Sequence, residues 1–198
     1  MRVLIVGASG ELGRAVTSAF SGHELVLASR SGEEQVDLTD VASIAALYDR
    51  VGTVDAVACT AGHVPFAPLT ELTVEQYREG VTDKLLGQIA LVRLGLDHVT
   101  DGGSFTLITG ITADDPIATG TVASTVNGAL HSFVLAAAIE MPRGLRVNAV
   151  SPTMFTESEP AYGPYFPGFP PVPVAEAARA YVKSALGRQT GQVYRVGY

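Results

Sequence analysis

The sequence Arg2-Val-Leu-Ile-Val6 is a short apolar run that leads directly into Gly7-Ala-Ser-Gly10-Glu-Leu-Gly13, after which the residues follow a helical pattern. A buried strand that runs into glycines at three-residue spacing lets the backbone turn tightly and approach a pyrophosphate. The free amides and the dipole of the following helix can then bind the phosphates. The stretch therefore predicts a dinucleotide-binding turn; an ordinary strand-to-helix turn of an α/β protein is the alternative.

The composition favours one compact domain over residues 1–198, because 47% of the residues are hydrophobic and most of these are Val, Ala and Leu. The formal net charge of −7 argues against a nucleic-acid partner, and we predict no metal site. No apolar run reaches roughly 18 residues and no signal peptide precedes the first strand, so we expect no membrane contact. The single cysteine, Cys59, fits a cytoplasmic protein without an internal disulfide.

Strands and helices alternate along the chain, which predicts a Rossmann-type, doubly wound parallel sheet of about seven strands with helices on both faces. The strands are predicted at 2–6, 24–28, 35–37, 54–59, 103–109, 145–150 and 192–196. The helices with the clearest periodicity are predicted at 11–21, 73–99 and 119–140.

Two places depart from this alternation. Only about five residues link the second strand to Val36-Asp37, too few for a crossover helix, so the third strand should be a stub. The stretch 157–174 contains four aromatic residues and six of the 11 prolines, which predicts an irregular segment. We expect it to form an ordered lid or pocket wall; a packed surface loop without a ligand is the alternative.

These landmarks resemble the short-chain dehydrogenase/reductase family in order and over nearly the whole chain. The glycines at 7, 10 and 13 resemble its phosphate turn, although the common form of the family has glycine where Glu11 stands. Asp37-Leu38 is similar to its adenine-binding pair, and Thr60-Ala61-Gly62 to its Asn-Ala-Gly turn. The residues that the resemblance implies for cofactor binding are Gly7, Ser9, Gly10, Glu11, Leu12, Gly13, Ser29, Arg30, Asp37, Leu38, Thr60, Ala61, Gly62, Asn127, Pro152, Thr153 and Thr156.

The resemblance also favours NADP(H) over NAD(H) as the cofactor. Ser29-Arg30, after the second strand, resembles the family's pair that holds the adenosine 2′-phosphate, and no acidic residue ends that strand. A guanidinium can bind a phosphate with two hydrogen bonds, whereas a carboxylate would repel it. The alternative is an arginine that is merely solvated at the end of a strand.

The resemblance fails at the catalytic positions. Alignment on Gly128-Ala129-Leu130 places the family's Tyr-x-x-x-Lys pair on Ala123 and Asn127, and the stretch Lys84-Leu-Leu-Gly87 places its active-site asparagine on Lys84. Carbonyl reduction needs a proton donor for the oxygen, and an alanine methyl cannot provide one. Asn127 keeps the capacity to bind the nicotinamide ribose through hydrogen bonds.

Three residues are candidates for the missing catalytic groups. Lys84 lies at the edge of the buried stripe of its predicted helix, where partial burial would lower its pKa and make it a proton donor. Tyr162, in the expected lid, offers a phenol, and Thr109 offers a hydroxyl near the position of the family's serine. Each has a plain alternative: a solvated lysine, a hydrophobic plug, and a threonine that satisfies local backbone groups.

These observations predict an NADP(H)-dependent oxidoreductase of the short-chain dehydrogenase type that acts on a small carbonyl or hydroxyl compound with an unusual proton donor. A cofactor-binding sensor or partner module without turnover, or a non-redox isomerase or lyase in the same pocket, remains an alternative. The resemblance implies a homodimer or homotetramer that assembles through the helices at 73–99 and 119–140.

Overall fold

The computed structural model describes residues 1–198 and contains one parallel sheet of seven strands. The strands are β1 (Arg2–Val6), β2 (Glu24–Ser29), β3 (Glu34–Gln35), β4 (Val54–Cys59), β5 (Val99–Ile108), β6 (Arg146–Pro152) and β7 (Val193–Val196). Their order across the sheet is β3-β2-β1-β4-β5-β6-β7, and every neighbouring pair is parallel. The predicted fold class is therefore confirmed.

Helices cover both faces of the sheet. They are α1 (Glu11–Ala19), α2 (Val41–Val51), α3 (Val74–Gly80), α4 (Gly87–Gly95), α5 (Thr121–Glu140), α6 (Glu159–Tyr162) and α7 (Val174–Leu186). One apolar core includes residues of α2, α4 and α5, and a second core on the opposite face includes residues of α1 and α7. Tyr48 and Tyr181 are the largest fully buried side chains, one in each core.

The third strand is a stub of two residues, as its short connection predicts, but it comprises Glu34–Gln35 rather than 35–37. β5 begins at Val99, four residues earlier than the sequence suggests. The pair Gly102-Gly103 has the composition of a turn, yet it lies within the strand, where the register against β4 shifts. A Cβ atom on Gly103 would approach the Asp55 carbonyl oxygen to 2.5 Å, so the close strand contact requires glycine.

The prediction of one continuous helix over 73–99 is wrong. α3 begins after a capping box at Thr73, and α4 ends at Gly95; between them, Val81–Leu86 form a π-helical segment. A Cβ atom on Gly87 would lie 2.7 Å from the Leu38 carbonyl oxygen, so the helix passes unusually close to the chain that follows β3. This close approach and the hydrogen bonds of Gln88 described below accompany the departure from α-helical geometry.

The stretch 157–174 is more regular than its prolines suggest. Thr156–Ser158 and Gly163–Tyr165 are 3₁₀ turns on either side of α6, and α7 begins at Val174. Pro160 and Pro164 stand in the first turns of these short helices, where the missing amide hydrogen breaks no helical bond. The prediction that this stretch cannot be regular is therefore wrong for these short helices.

By length and composition alone, α5 is apolar enough to cross a membrane, although polar residues interrupt its apolar ones. The indication is weak, because helices that pack on a soluble core satisfy the same criteria. Here α5 packs on β6, and 33% of its most apolar 18-residue stretch is buried.

Candidate functional site

The carboxyl ends of the strands meet along one edge of the sheet, and the strand order reverses between β1 and β4. Ligands of open α/β sheets bind in the crevice outside such a reversal. A cavity of about 660 Å³ lies here, between the chain after β1, β2 and β4. Its lining residues are Val6, Gly7, Ser9, Gly10, Ser29, Arg30, Val36, Asp37, Leu38, Thr39, Thr60, Ala61, Gly62, His63 and Asp83. We call it the first cavity.

The glycine turn at the base of the first cavity is held by close backbone contacts. Gly7 has a φ of +88°, and a Cβ atom there would approach Ala61 Cβ and Thr60 Oγ1 to 2.8 Å. A Cβ atom on Gly13 would lie 2.1 Å from the Gly7 carbonyl oxygen. Gly10 is different, because its side-chain position meets only one atom, at 3.4 Å. The turn is therefore packed against the chain that follows β4 at Gly7, and α1 packs against the turn at Gly13.

Ten residues of the predicted cofactor set lie in the wall of the first cavity: Gly7, Ser9, Gly10, Ser29, Arg30, Asp37, Leu38, Thr60, Ala61 and Gly62. Three others, Glu11, Leu12 and Gly13, belong to α1 and lie outside this wall, with Leu12 buried in the core. Thr156 is exposed and lines neither this cavity nor the second one described below. Asn127, Pro152 and Thr153 line the second cavity.

Arg30 and Asp37 also lie in the wall of the first cavity. The hydroxyl and the amide of Thr39 donate hydrogen bonds of 2.7 and 2.9 Å to the Asp37 carboxylate. These bonds hold the pKa of Asp37 below its usual range, and the nearby charge of Arg30 acts in the same direction. Arg30 is exposed, so its guanidinium is free to meet an anion at the cavity rim.

A second cavity, of about 260 Å³, adjoins the first, and Gly62 and His63 line both. Its remaining lining residues are Val64, Phe66, Lys84, Thr109, Gly110, Ile111, Thr112, Ala123, Asn127, Pro152, Thr153, Met154, Phe155, Ser158, Tyr162 and Phe166. The second cavity thus brings together all three catalytic candidates, Lys84, Thr109 and Tyr162, from three separate parts of the chain.

Lys84 lies on the π-helical segment and is only 8% exposed. Its Nζ atom donates a hydrogen bond of 3.4 Å to the Thr109 carbonyl oxygen. Burial lowers the pKa of Lys84 from 10.5 to about 8, and the nearby Asp83 carboxylate opposes this shift only in part. Lys84 can therefore give or take a proton near neutral pH.

The backbone around Lys84 leaves room for its side chain only because Gly62 has no side chain. Gly62 has a φ of +139°, and a Cβ atom there would lie 2.6 Å from Lys84 Cγ. The next residue, His63, donates its backbone amide to the Asp83 carboxylate at 3.0 Å. The turn after β4 and the π-helical segment are consequently fixed against one another.

Thr109 is buried at the end of β5, and its hydroxyl lies 3.2 Å from the Val150 carbonyl oxygen and 3.0 Å from His131 Nε2. A hydroxyl has one hydrogen to donate, so when it goes to Val150, Nε2 of His131 must carry the hydrogen of the other bond. Burial lowers the pKa of His131. His131 is not among the candidates chosen from the sequence, because a lone histidine on a core helix is usually just packed.

Asn127 and Thr153 leave polar atoms without partners in the wall of the second cavity. Asn127 is 3% exposed, and its Nδ2 donates to Thr112 Oγ1 at 2.9 Å, whereas its Oδ1 accepts nothing. The Thr153 hydroxyl is also buried and unpaired. Buried polar groups without partners are costly, so these two atoms suit a polar ligand that completes their hydrogen bonds.

Tyr162 lies on α6 at the open side of the second cavity and is partly exposed. Its ring meets Phe66 edge-on at a centroid distance of 6.4 Å, and Phe66 also contacts Tyr165 at 5.8 Å. Ser158, in the preceding turn, donates its hydroxyl to the Glu11 carboxylate at the start of α1. An aromatic wall thus lines the second cavity, and its Ser158 is hydrogen-bonded to Glu11 in the glycine turn.

The chain is similar to known proteins in sequence and in fold. Residues 11–185 match the family model described as Enoyl-(Acyl carrier protein) reductase. The crystal structure of the protein lin1944 from Listeria innocua is 48% identical and has a TM-score of 0.97, with 99% of each chain covered. A small-chain dehydrogenase in complex with NADPH shares the fold with a TM-score of 0.88, at 22% identity, over 99% of this chain and 96% of that one.

The curated relatives are longer proteins. Hydroxynaphthalene reductase arp2 from Aspergillus fumigatus is 30% identical over 140 residues, which are 66% of this chain and 51% of the relative. L-fucose dehydrogenase from Oryctolagus cuniculus is 29% identical over 174 residues, which are 76% of this chain and 61% of the relative. An uncharacterised oxidoreductase from Methylorubrum extorquens is 32% identical over 55% of this chain and 44% of its own length. The chain spans about half the length of the first of these relatives.

Proposed function

The chain belongs to the short-chain dehydrogenase/reductase family, and on that premise we propose that it is an NADP(H)-dependent oxidoreductase that interconverts a small carbonyl compound and its alcohol. We further propose that Lys84 is its proton donor. The observation that carries this proposal is the buried Lys84 amine in the wall of the second cavity, directly beside the glycine-lined first cavity.

The residues of the two cavities fit a dinucleotide. The glycine turn and the start of α1 offer backbone amides to the pyrophosphate, with Gly10 leaving open space for its approach. Arg30, in the wall of the same cavity, offers a guanidinium to the 2′-phosphate. Asn127 Oδ1, which has no partner, can accept a hydrogen bond from a ribose hydroxyl. The small-chain dehydrogenase that binds NADPH supports the same choice of cofactor.

Bound NADPH supplies a hydride to the carbonyl carbon. The oxygen then needs one proton, and a charged Lys84 can donate it and become a neutral amine. Within these 198 residues no tyrosine is followed four residues later by a lysine, so the donor that the family commonly uses has no counterpart in that pattern. With a pKa of about 8, Lys84 is mostly charged at pH 7 and still a strong enough acid for the transfer. The reduction rate should therefore fall as the pH rises through about 8.

A second candidate function is cofactor binding without turnover, as in a sensor or a partner module. It is favoured by Ala123, whose buried methyl group lines the second cavity at the position where the resemblance places the catalytic tyrosine. The two candidates share the first cavity and differ in whether a substrate is turned over in the second.

One experiment separates them. The protein is mixed with NADPH and a panel of aldehydes, ketones and quinones, NADPH binding is measured by calorimetry, and oxidation is followed at the absorbance band of reduced nicotinamide. We expect micromolar or tighter binding and oxidation with at least one carbonyl class. Binding without oxidation across the panel would favour the second candidate, and no NADPH binding would contradict both.

The variant Lys84→Met tests the donor itself. We expect kcat to fall by about 10²- to 10⁴-fold, the usual contribution of a positioned general acid, with the NADPH dissociation constant nearly unchanged. The control is Lys183→Met, because Lys183 is the other lysine of the chain and lies on α7, with its Nζ 4.9 Å from the centre of the Tyr194 ring. Equal turnover in Lys84→Met and the control would remove Lys84 from the mechanism.

A further inference from the structure

Gln88 is a buried polar side chain to which the proposed function gives no role. It lies in the first turn of α4, four residues after Lys84, and has no exposed surface. Burying an amide is unfavourable unless its donors and acceptors are paired, whereas an apolar residue would fill the same space without that requirement. The contacts of Gln88 therefore call for an explanation beyond packing.

The Gln88 amide makes three hydrogen bonds. Its Nε2 donates to the Lys84 carbonyl oxygen at 3.1 Å and to the Ile108 carbonyl oxygen at 2.9 Å, and its Oε1 accepts the Ile108 amide at 2.9 Å. Both donor hydrogens of the amide are thus used. The strand pairing between β4 and β5 ends at Thr106, so the backbone groups of Ile108 find their partner in Gln88 instead of in β4.

These bonds close a ring around the Lys84 amine. Gln88 joins the Lys84 backbone to Ile108, and the next residue, Thr109, accepts the hydrogen bond from Lys84 Nζ. The π-helical segment that carries Lys84 is the irregular part of this ring. Single turns of π-helix occur frequently at functional sites, where they change the direction of a side chain.

We propose that Gln88 is a positioning residue, which ties the π-helical segment to the end of β5 and so holds the Lys84 amine inside the second cavity. This inference rests on the proposed function of Lys84. Without Gln88, the segment would lose its link to β5, and the lysine could move toward solvent.

The titration of Lys84 reports its position. The ionisable groups that act on it are Cys59 at the end of β4, Asp83 on its own segment and His131 on α5. Burial raises the pKa of the Cys59 thiol to about 12, so Cys59 is neutral near pH 8. Burial is the main cause of the lowered pKa of Lys84, so a lysine that moves outward must titrate closer to 10.5.

The test uses the protein without cofactor or substrate, with lysine labelled by ¹³C at Cε. The chain has only two lysines, so the spectrum contains two Cε signals, one from Lys84 and one from Lys183. In Gln88→Met we expect the pKa of Lys84 to rise by at least one unit and that of Lys183 to stay the same. In assays with NADPH and a substrate, kcat should fall at least tenfold with its pH profile displaced in the same direction, and the NADPH dissociation constant should be unchanged.

Two further variants distinguish a specific effect on Lys84 from a general loss of structure. Gln88→Asn keeps an amide on a stem that is shorter by one methylene, and it should shift Lys84 in the same direction. Ser184→Ala is the matched control, because it removes buried hydrogen bonds with Thr106 and Asn148 without touching Lys84. It should lower stability and leave the titration of Lys84 unchanged.

An unchanged titration of Lys84 in a folded Gln88 variant would overturn the proposal. So would a failure of both Gln88 variants to fold while Ser184→Ala folds, because Gln88 would then serve the fold as a whole. The Cε titration does not depend on turnover. A failure of the proposed function of Lys84, seen in Lys84→Met, is therefore distinguishable from a failure of this inference.

Discussion

The burial of Lys84 lowers the stability of the folded state. The folded state holds an amine in a buried position, and the cost appears as the lowered pKa. The neighbouring Gly62 has to lack a side chain for Lys84 to fit. A residue that lowers stability in this way is most easily understood if it has a role in activity, because proteins often sacrifice stability at functional sites.

This cost predicts a pH-dependent effect of Lys84→Met on stability. Below about pH 8 Lys84 is charged in both states, and the folded state bears the full burial cost. Between about pH 8 and 10.5 only the unfolded state still holds the proton, so wild-type stability rises with pH by up to about 3 kcal/mol. Lys84→Met should thus be more stable than wild type at pH 7, by up to about 3 kcal/mol, and this advantage should shrink toward pH 10.5. Urea unfolding at pH 7, 9 and 10 measures it, and a constant difference would contradict it.

In the first cavity, Arg30 should determine which of the two nicotinamide cofactors binds more tightly. Replacing Arg30 by Gln removes a charged partner for the 2′-phosphate, and hydrogen bonds to charged groups contribute about 1.5–3 kcal/mol. We expect NADPH binding to weaken by about 10- to 100-fold, with NADH binding nearly unchanged. Calorimetry of both cofactors checks this, with Arg179→Gln on α7 as the control. Equal losses for NADPH and NADH would show that Arg30 does not contact the phosphate.

Among the elements, those that could be predicted from sequence are the ones whose causes are local. β1 and β4 are apolar runs that end shortly before a glycine, and α1 follows the first of these glycine turns. The division of 73–99 into three pieces could not be predicted, because it accompanies contacts of Gly87 with Leu38 and of Gln88 with Ile108, which lie far away in the sequence. Gln88 could not be selected for the same reason, and a lone histidine on a core helix, such as His131, predicts only packing. Lys84 could be selected from its position on a helix.

The link between α1 and the wall of the second cavity leads to a prediction about Glu11. Its carboxylate lies in the first turn of α1, where anions bind, and accepts a hydrogen bond from Ser158. Glu11→Gln removes a negative charge near the proposed phosphate site, and such charges at a helix terminus contribute about 0.3–1 kcal/mol. NADPH should bind about two- to fivefold tighter in this variant. Ser158→Ala keeps the charge and is the control; unchanged or weaker binding in Glu11→Gln would be the contrary result.

For the whole molecule, the parallel sheet with helices on both faces follows from the alternation of strands and helices, but the assembly of several chains does not. α5 leaves Leu135 57% and Ile139 87% exposed on its outer face, and Gly128 has open space beside it. Apolar side chains on the face of a long helix are typical of a surface that pairs with another copy. We propose that two or four chains assemble through this face and the neighbouring α4.

Light scattering coupled to gel filtration tests this assembly. We expect wild type to have the mass of a dimer or tetramer, and the double variant Leu135→Glu with Ile139→Glu to have the mass of a monomer. Leu69→Glu is the control, because Leu69 is 66% exposed and lies on neither helix. A monomeric wild type, or a double variant of unchanged mass, would exclude this surface as the interface.

Gly62 and His63 line both cavities, so the two compartments have one wall in common. A molecule in either compartment would contact the same two residues, so we expect the affinities of the two sites to be coupled. Thermodynamic linkage makes that coupling reciprocal: the factor by which a substrate changes the affinity for the nucleotide equals the factor by which the nucleotide changes the affinity for the substrate.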